Sequence, residues 1–210
     1  MTERLTEIRN ALAELDEEKS LGLIAEALAG GDPANDVLKA CQEGMSDVGD
    51  RFEAGDYFVA ELVFSGELFK QAAALLRPHL TPGDAGRGGR IVIGTVKGDI
   101  HDLGKNIVVL MLEAAGFDVI DLGVDVPPER FIEALRESGA TVLGLSGLLT
   151  FAFGAMQRTV AAITAAGLRD RVRIMVGGGP VDAKVCEMAG ADGWGPNANA
   201  AVRLAKEWLR

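Results

Sequence analysis

The chain has 210 residues, of which 48% are hydrophobic and 25% are charged, an ordinary globular composition with enough apolar side chains for one medium domain or two small ones. The formal net charge is 21 minus 31, or −10, which disfavours nonspecific binding to nucleic acid or to an anionic membrane. Because the first residues lack the basic start and apolar core of a signal peptide, and no apolar run reaches membrane-spanning length, we expect a cytoplasmic protein with no nucleic-acid or membrane partner.

The first 80 residues have the apolar spacing of helices. Apolar residues recur at three- and four-residue steps, first at Leu5, Ile8, Leu12 and Leu15. Further helices are predicted at residues 21–28, from Asp32 or Pro33 through Met45, and from Phe58 to Leu80. Four helices joined by short turns predict a small antiparallel bundle.

The composition changes after the last of these helices. Residues 82–89 begin with a proline and are rich in glycine, so this segment is predicted to be a linker rather than a regular element. The predicted organisation is therefore a helical cap domain at residues 1–81, the linker at 82–89 and a second domain at 90–210.

The second domain has the pattern of alternating strands and helices. Short β-branched runs predict strands at residues 90–95, 118–122, 141–146 and 173–176, with a short edge strand at 193–195. Helical stretches separate these runs, which predicts an α/β domain with a doubly wound parallel sheet. Because the crossovers of such a sheet are right-handed, the carboxyl ends of its strands lie on one edge, where ligands bind.

A histidine between two carboxylates follows the first predicted strand. The motif is Gly98-Asp-Ile-His-Asp-Leu-Gly104, on a loop before a helix that is predicted at residues 106–115. A neutral imidazole held by a neighbouring carboxylate is a good ligand for a transition metal. By chemistry alone, His101 is a candidate ligand of a one-histidine metal site. The alternative is a solvated loop histidine before a helix.

Two more candidate loops follow later strands. Ser146-Gly-Leu-Leu-Thr150 begins where the strand at 141–146 ends, and three glycines, Gly177 to Gly179, follow the strand at 173–176. Alone, a serine at a strand end is usually a cap, and a triple glycine is a weak indication of phosphate binding. All three loops are predicted at the same edge of the sheet, so one ligand can touch all of them.

Taken together, the three motifs resemble the cobalamin-binding domain of cobalamin-dependent methionine synthase and of the small corrinoid proteins of methyltransferase systems. The segment from Val48 to Leu62 is similar to the helical cap that precedes this domain in those families. The resemblance implies a flavodoxin-like, Rossmann-like α/β domain preceded by a small four-helix bundle cap. It also implies that cobalamin or a related corrinoid is the cofactor, with a protein histidine as the lower axial ligand of cobalt.

The resemblance assigns His101 as the cobalt ligand and Asp99 as the residue that orients its other ring nitrogen. It implies that Gly104 leaves room for the corrin or its descending nucleotide tail, and that the hydroxyl of Ser146 bonds to the freed benzimidazole nitrogen. The remaining cofactor-binding positions that it implies are Gly98, Ile100, Asp102, Leu148, Thr150, Gly177, Gly178, Gly179 and Ala198.

Two positions in the helical domain are implied as well. Phe52 and Val59 match the apolar residues with which the related caps cover the methyl group on cobalt. Spacing alone favours the alternative that both side chains belong to the bundle core.

One residue departs from the family pattern. Ala152 stands where methionine synthase-like proteins have a serine or threonine that extends the aspartate–histidine pair into a hydrogen-bonded relay. Either a water replaces that hydroxyl, or Asp99 has a different protonation state.

The resemblance implies that the protein is a methyl carrier. Such a protein accepts a methyl group on Co(I) from a donor-specific methyltransferase. It delivers the group from methyl-Co(III) to a second methyltransferase, which acts on tetrahydrofolate or a thiol, and a reductive activase is a third expected partner. No catalytic residue is predicted in the chain itself, because bond making belongs to the cofactor and the partner enzymes. We expect the glycine-rich linker to be the hinge that moves the cap aside.

Three alternatives stay open at this point. The first is the cobalamin-binding subunit of an adenosylcobalamin-dependent mutase, which shares the histidine motif but needs no methyl-shielding cap. The second is a cobalamin-dependent sensor, although no DNA-binding element is evident in the sequence. The third is a flavodoxin-like signalling domain that binds no corrinoid.

Overall fold

A computed structural model describes residues 2–80 and 88–209 and divides the chain into two compact units. One unit is formed mainly by the described residues up to 80, and the other mainly by those from 88 onward. Apart from Gly88 and Gly89, the predicted linker lies outside the described residues, so the domain boundaries stay a prediction. Within the two described ranges, no helix combines the length and apolar composition needed to cross a bilayer.

The first unit is a bundle of helices. Its helices are α1 (Glu3–Ala13), α2 (Glu17–Ala29), α3 (Ala34–Ala54) and α4 (Val59–Leu76), followed by a 3-10 turn at Arg77–His79. The predicted helix from Phe58 to Leu80 thus ends earlier. Pro78 has no N–H with which to continue the helical ladder.

Local signals in the sequence start and stop these helices. The side chains of Thr2 and Asp16 accept N–H hydrogen bonds at the starts of α1 and α2, and Gly55 ends α3 at φ +85°. Leu15 is not on the apolar face of α1 as predicted, because it follows the helix in a left-handed turn at φ +61°. The largest fully buried side chains of the bundle are Ile8, Leu12, Ile24, Met45, Leu62, Leu68 and Leu76.

The second unit is an α/β domain with a five-stranded parallel sheet. Its strands are β1 (Arg90–Thr95), β2 (Asp118–Asp121), β3 (Val142–Ser146), β4 (Arg173–Gly177) and β5 (Gly193–Gly195). Its helices are α5 (Leu103–Ala114), α6 (Pro128–Ser138), α7 (Ala152–Ala165), α8 (Ala183–Ala189) and α9 (Ala198–Trp208). The predicted α/β class, with a helical bundle before it, is confirmed.

The strand order β2-β1-β3-β4-β5 creates a ligand crevice. In this flavodoxin-like order the connections diverge between β1 and β3, and ligands bind outside the carboxyl ends of the strands at such a point. The register pairs Thr95 of β1 with Ser146 of β3, and Ser146 with Gly177 of β4. The three candidate loops therefore leave the sheet side by side, as the sequence predicted.

Candidate functional site

His101 lies on the loop between β1 and α5. Its side chain is 45% exposed, and its ring atom Nδ1 lies 2.6 Å from Oδ1 of Asp99. The backbone N–H of His101 donates to the same oxygen over 3.0 Å, and the hydroxyl of Thr95, at the end of β1, donates to the His101 carbonyl over 3.3 Å. One carboxylate therefore fixes both the ring and the backbone of the histidine.

Asp99 connects this loop to the loop after β3. Its residue has no exposed surface, and its Oδ2 accepts backbone N–H bonds from Leu148 over 2.7 Å and from Leu149 over 3.1 Å. Burial by itself raises the pKa of Asp99, but the hydrogen bonds from His101 and from the two leucine amides outweigh burial and lower this pKa to about 2. At neutral pH Asp99 is therefore a carboxylate.

A charged Asp99 determines the tautomer of the histidine. The carboxylate only accepts hydrogen bonds, so Nδ1 of His101 carries the proton and donates it. In the neutral ring, the other nitrogen, Nε2, then presents its lone pair, and within residues 2–80 and 88–209 it has no hydrogen bond. A neutral imidazole held in this way is prepared to bind a transition metal.

The hydrogen bonds of Asp99 help to explain why position 152 can be alanine, where methionine synthase-like proteins have a serine or threonine. Ala152 is fully buried, and its methyl side chain forms no hydrogen bond. Two backbone amides of the loop after β3 already satisfy Oδ2 of Asp99. Two alternatives were given for the missing hydroxyl: a water in its place, or a different protonation state of Asp99. The lowered pKa of Asp99 disagrees with the second alternative.

Large apolar side chains are exposed around the histidine. Ile100 and Leu103 flank it in sequence, and the ring of Phe151 lies so close to Gly98 that an added Cβ there would be 3.1 Å from it. The exposed fractions, which define an apolar rim, are Ile100 70%, Leu103 65%, Phe151 54%, Leu148 42% and Leu149 40%. Such a concentration of exposed apolar surface indicates a binding site.

Open space lies over Gly104, in the first turn of α5. A Cβ built at this position meets nothing within 4 Å, and the backbone is not left-handed there. Nothing in the described protein therefore requires a glycine, although glycine weakens a helix by about 0.5–1 kcal/mol relative to alanine. The bare backbone suits the close approach of a ligand next to His101.

The three glycines at the end of β4 and directly after it have different surroundings. Gly178 has φ +140°, and a Cβ there would lie 1.9 Å from the carbonyl oxygen of Gly147, so contact between two loops of the protein already requires this glycine. At Gly177 the nearest atom is the Gly195 carbonyl oxygen at 3.9 Å, and a Cβ at Gly179 would lie 3.3 Å from the side chain of Leu148. Gly177 is thus the glycine whose space the protein leaves open.

The remaining predicted cofactor-binding residues of this unit lie at a strand end, on loops and at a helix start. Ser146 is half-buried at the end of β3, and Thr150 is exposed after it. Asp102 is exposed, and its carbonyl and carboxylate accept hydrogen bonds from Asn106 at the start of α5. Ala198 is only 6% exposed, at the start of α9.

Comparisons with known proteins cover both units. Family models described as B12 binding domain match residues 89–203 and residues 4–77. The dimethylamine corrinoid protein of Methanosarcina barkeri is 36% identical over 208 residues, which are 99% of this chain and 98% of that protein. This chain belongs to the corrinoid proteins of cobalamin-dependent methyltransferase systems. Cobalamin or a related corrinoid is accordingly its cofactor, and the alternative of a domain without a corrinoid is wrong.

Two further comparisons support the family and the fold. Trimethylamine corrinoid protein 2 of Methanosarcina mazei is 36% identical over 211 residues, covering 99% of this chain and 97% of that protein. The crystal structure of a cobalamin-binding protein from Desulfitobacterium hafniense is 39% identical, covers 98% of each chain and has a TM-score of 0.87. These relatives do not favour the mutase alternative.

The residues of this corrinoid protein fit the cofactor. Among the described residues, no group of three or more histidine, cysteine, aspartate or glutamate side chains could hold a metal ion, and the protein would offer cobalt the single nitrogen Nε2 of His101. A corrin ring carries nitrogen ligands of its own for cobalt, so His101 would suffice as the ligand from the protein. The apolar rim and the open space at Gly104 suit the flat apolar body of the ring.

The helical unit of the corrinoid protein presents exposed apolar side chains near the start of α4. Val59 is 45% exposed, with Phe58 at 69% and Val63 at 49% beside it, while Phe52 in α3 is half-buried. Val59 is therefore not part of the bundle core, and that alternative is wrong for it. Apolar surface of this kind is available to contact a partner or a ligand.

Sequence reasoning missed two groups that hold the histidine loop. The backbone amide of Leu149 bonds to Asp99, and the carboxylate of Asp125 accepts the N–H of Gly98 over 2.8 Å. Every residue except proline has a backbone N–H, so no side-chain motif could have indicated the amide. Asp125 lies far along the sequence from Gly98, and the pairing of β1 with β2, continued by the bridge between Val96 and Val126, brings them together.

Proposed function

We propose that this corrinoid protein carries a methyl group between two partner methyltransferases. The corrin-bound cobalt supplies the chemistry, because its reduced form is a strong nucleophile that accepts a methyl group and later gives it up. One partner takes the group from a donor, and the second passes it to tetrahydrofolate or a thiol. A reductive activase restores the cofactor after accidental oxidation, and the cytoplasm is the expected location.

The observation that carries this proposal is the histidine held by a buried carboxylate at the switch point of the sheet. Asp99 keeps the proton on Nδ1 of His101 and so leaves Nε2 for cobalt. The strength of that hydrogen bond tunes how strongly the imidazole donates to the metal. The chain therefore binds and orients the cofactor while the partner enzymes contribute the sites for donor and acceptor.

We propose a methylated amine as the class of donor. Two relatives that align along almost the whole chain are named for dimethylamine and trimethylamine. The amine is recognised by the partner enzyme, since the described residues around His101 form an apolar rim and include no group of three or more metal-ligating side chains.

We further propose that the glycine loops hold the nucleotide tail and that Phe52 and Val59 shield the methyl group. Support for the first part is the register that places Ser146 beside Gly177, where the protein leaves space. Support for the second is the exposure of Val59 and its apolar neighbours on the helical unit.

The direct test of cobalt ligation uses isotope labelling. The protein is produced with all histidine nitrogens as ¹⁵N, loaded with hydroxocobalamin and reduced to Co(II) for electron paramagnetic resonance. A protein imidazole on cobalt changes its nitrogen splitting with the label, whereas the dimethylbenzimidazole of the cofactor does not. His101→Ala should abolish the label-dependent splitting, and His79→Ala is the matched control because His79 is the one other histidine of the chain. If the nitrogen splitting of the parent protein is the same with and without ¹⁵N-histidine, the assignment of His101 as the cobalt ligand is rejected.

A second experiment separates the carrier from the mutase alternative. The loaded Co(I) protein is mixed with each of three methylated amines and a methyltransferase specific for that amine, and methylation is followed by absorbance. A carrier is methylated in at least one mixture and is then demethylated by an acceptor methyltransferase. A mutase subunit would show neither reaction and would instead support rearrangement chemistry with adenosylcobalamin.

A further inference from the structure

Asp125 holds the histidine loop from the side of β2. It lies between β2 and α6, and its Oδ1 accepts the backbone N–H of Gly98 over 2.8 Å. Its Oδ2 accepts the ammonium group of Lys97 over 2.9 Å, and its own backbone N–H donates to the Asp99 carbonyl over 2.9 Å. One residue thus contacts three consecutive residues where β1 passes into the loop.

The backbone at these contacts is unusual. Asp125 has φ +55° and is one of only two described residues other than glycine with a left-handed backbone. Gly98, its partner, is left-handed as well at φ +91°. Aspartate and asparagine adopt this conformation more readily than other side chains, and it persists where the surroundings hold it in place. The N–H bond from Gly98 and the ion pair with Lys97 also lower the pKa of Asp125.

Asp99 is therefore held at both of its ends. The leucine amides of the loop after β3 bind its carboxylate, and Asp125 binds its carbonyl oxygen and fixes the preceding Gly98. The carboxylate of Asp99 in turn sets the position of His101. Any rotation of the Gly98 backbone would move Asp99 and, with it, the imidazole.

We propose that Asp125 is a positioning residue for cobalt ligation. By fixing the backbone of Gly98 and Asp99, it sets the orientation in which His101 meets cobalt and thereby the balance between His-bound and His-free Co(II). The inference rests on the proposed role of His101. It requires the geometry of the Asp125 acceptor, and the negative charge of its carboxylate is secondary.

The test compares variants that separate geometry from charge. Asp125→Asn keeps an acceptor oxygen of the same length and tolerates a left-handed backbone, but it has no charge. Asp125→Glu keeps the charge and displaces it by one methylene, and Asp125→Gly keeps only the backbone freedom. Lys97→Met is the control that removes the ion pair and leaves the Gly98 bond intact.

The readouts are the Co(II) spectrum with ¹⁵N-histidine, the Co(II)/Co(I) midpoint potential, and amide hydrogen exchange of Gly98 in the protein without cofactor. The Glu and Gly variants should lower the ratio of His-bound to His-free Co(II) about tenfold or more, the usual cost of losing a partner that orients a metal ligand. Their midpoint potential should shift and their Gly98 amide should exchange faster. Asp125→Asn and Lys97→Met should remain close to the parent.

The possible results are distinct. Rescue by Glu but not by Asn would show that charge rather than geometry acts, and parent-like values in all four variants would show no positioning role. Either result overturns the inference. If a variant does not bind the cofactor, hydrogen exchange of the Gly98 amide still tests the inference. Exchange as slow as in the parent would show that Asp125 does not fix the Gly98 backbone. Absence of histidine coupling in the parent itself would instead reject the proposed role of His101.

Discussion

Nδ1 of His101 lies 2.6 Å from Oδ1 of Asp99, and Asp99 has no exposed surface. A buried carboxylate is stable only when hydrogen bonds compensate for lost water, and here the compensating donors come from two different loops. The pair therefore depends on the packing of the loop after β1 against the loop after β3. The strength of His101 as the proposed cobalt ligand and the local stability of the two loops would therefore both depend on the Asp99 side chain.

Asp99→Asn should weaken both properties. An amide has one acceptor oxygen, so its NH₂ group must face either the imidazole N–H or the two leucine amides, and buried donors lose their partners. We expect a loss of about 2–4 kcal/mol in the free energy of unfolding. Both tryptophans, Trp194 and Trp208, lie in this unit, so denaturation followed by their fluorescence reports on it.

The control for this substitution is Asp102→Asn, because Asp102 is a second carboxylate on the same loop. Asp102 is exposed, and its change should stay within about 0.5 kcal/mol of the parent. Equal stability of the two variants would contradict the structural account of Asp99.

Gly104→Ala tests whether the open space in α5 belongs to the ligand. Alanine should raise the stability of the protein without cofactor by about 0.5–1 kcal/mol, because it favours helix and meets nothing within 4 Å. It should weaken cobalamin binding, measured by titration against absorbance. Gly22→Ala in α2 is the matched control, since its Cβ also meets nothing. A Gly104→Ala protein that binds as tightly as Gly22→Ala would place the corrin elsewhere.

Gly177→Ala tests the path of the nucleotide tail. Its Cβ fits the protein, with the nearest atom at 3.9 Å, so stability should stay within about 1 kcal/mol of the parent. We expect a larger loss of affinity for cobalamin than for cobinamide, which has no nucleotide tail. Gly178→Val is unsuitable for this purpose, because its Cβ overlaps the Gly147 carbonyl whether or not a ligand is present. An equal loss for both corrinoids would show that the tail does not pass Gly177.

Asp192 lies just before β5, at the edge of the sheet opposite the histidine. Its carboxylate should make the stability of the second unit depend on pH. Its carboxylate accepts hydrogen bonds from Arg169 over 3.0 Å and from the backbone N–H of Ile174 over 2.7 Å. Burial raises the pKa of Asp192, but these bonds and the arginine charges outweigh burial and lower it. The stabilisation is therefore complete above the unfolded pKa of about 3.9 and is lost as pH falls through the folded pKa.

Asp192→Asn should accordingly destabilise the protein by about 1–3 kcal/mol at neutral pH. The difference from the parent should shrink as the pH falls below the unfolded pKa of about 3.9, and it should be lost as the pH passes through the lower folded pKa of Asp192, where the parent carboxylate takes up its proton. Asp170→Asn, an exposed site on the neighbouring turn, should show no such pH dependence. A difference that persists unchanged at low pH would contradict the assigned cause.

The fold could be predicted because hydrophobic periodicity is local. Runs such as Ile91 to Ile93 are buried on both sides of the sheet, and their continuous apolar pattern indicates a parallel strand directly. Element ends were less exact: α5 begins at Leu103 rather than at residue 106, since the loop residue Asp102 already accepts the first helical hydrogen bond.

The site could be predicted only in part. His101 and Asp99 are two positions apart, so their pairing was visible in the sequence. The amides that hold Asp99, and the carboxylate of Asp125, come from segments that only the strand order brings together. The sequence also could not show why position 178 must be a glycine, because the cause is its close contact with the backbone of Gly147.

Val59→Ser tests the proposed shield and so the function itself. Val59 is 45% exposed, so the polar side chain should change the free energy of unfolding by no more than about 0.5 kcal/mol. If Val59 covers the methyl group, the variant loaded with methylcobalamin should lose that group faster in light, and its Co(I) form should oxidise faster. Phe52 is less suitable, because it is half-buried and its truncation would also disturb packing.

Leu75→Ser is the matched control for the shield, because Leu75 is 40% exposed near the other end of the same helix, α4. It removes a comparable apolar surface from the helical unit without touching the proposed cover. Photolysis and oxidation should therefore match the parent in Leu75→Ser and increase only in Val59→Ser. Equal rates in both variants and the parent would mean that Val59 does not shield the cofactor, and the methyl-carrier proposal would lose its support from the helical unit.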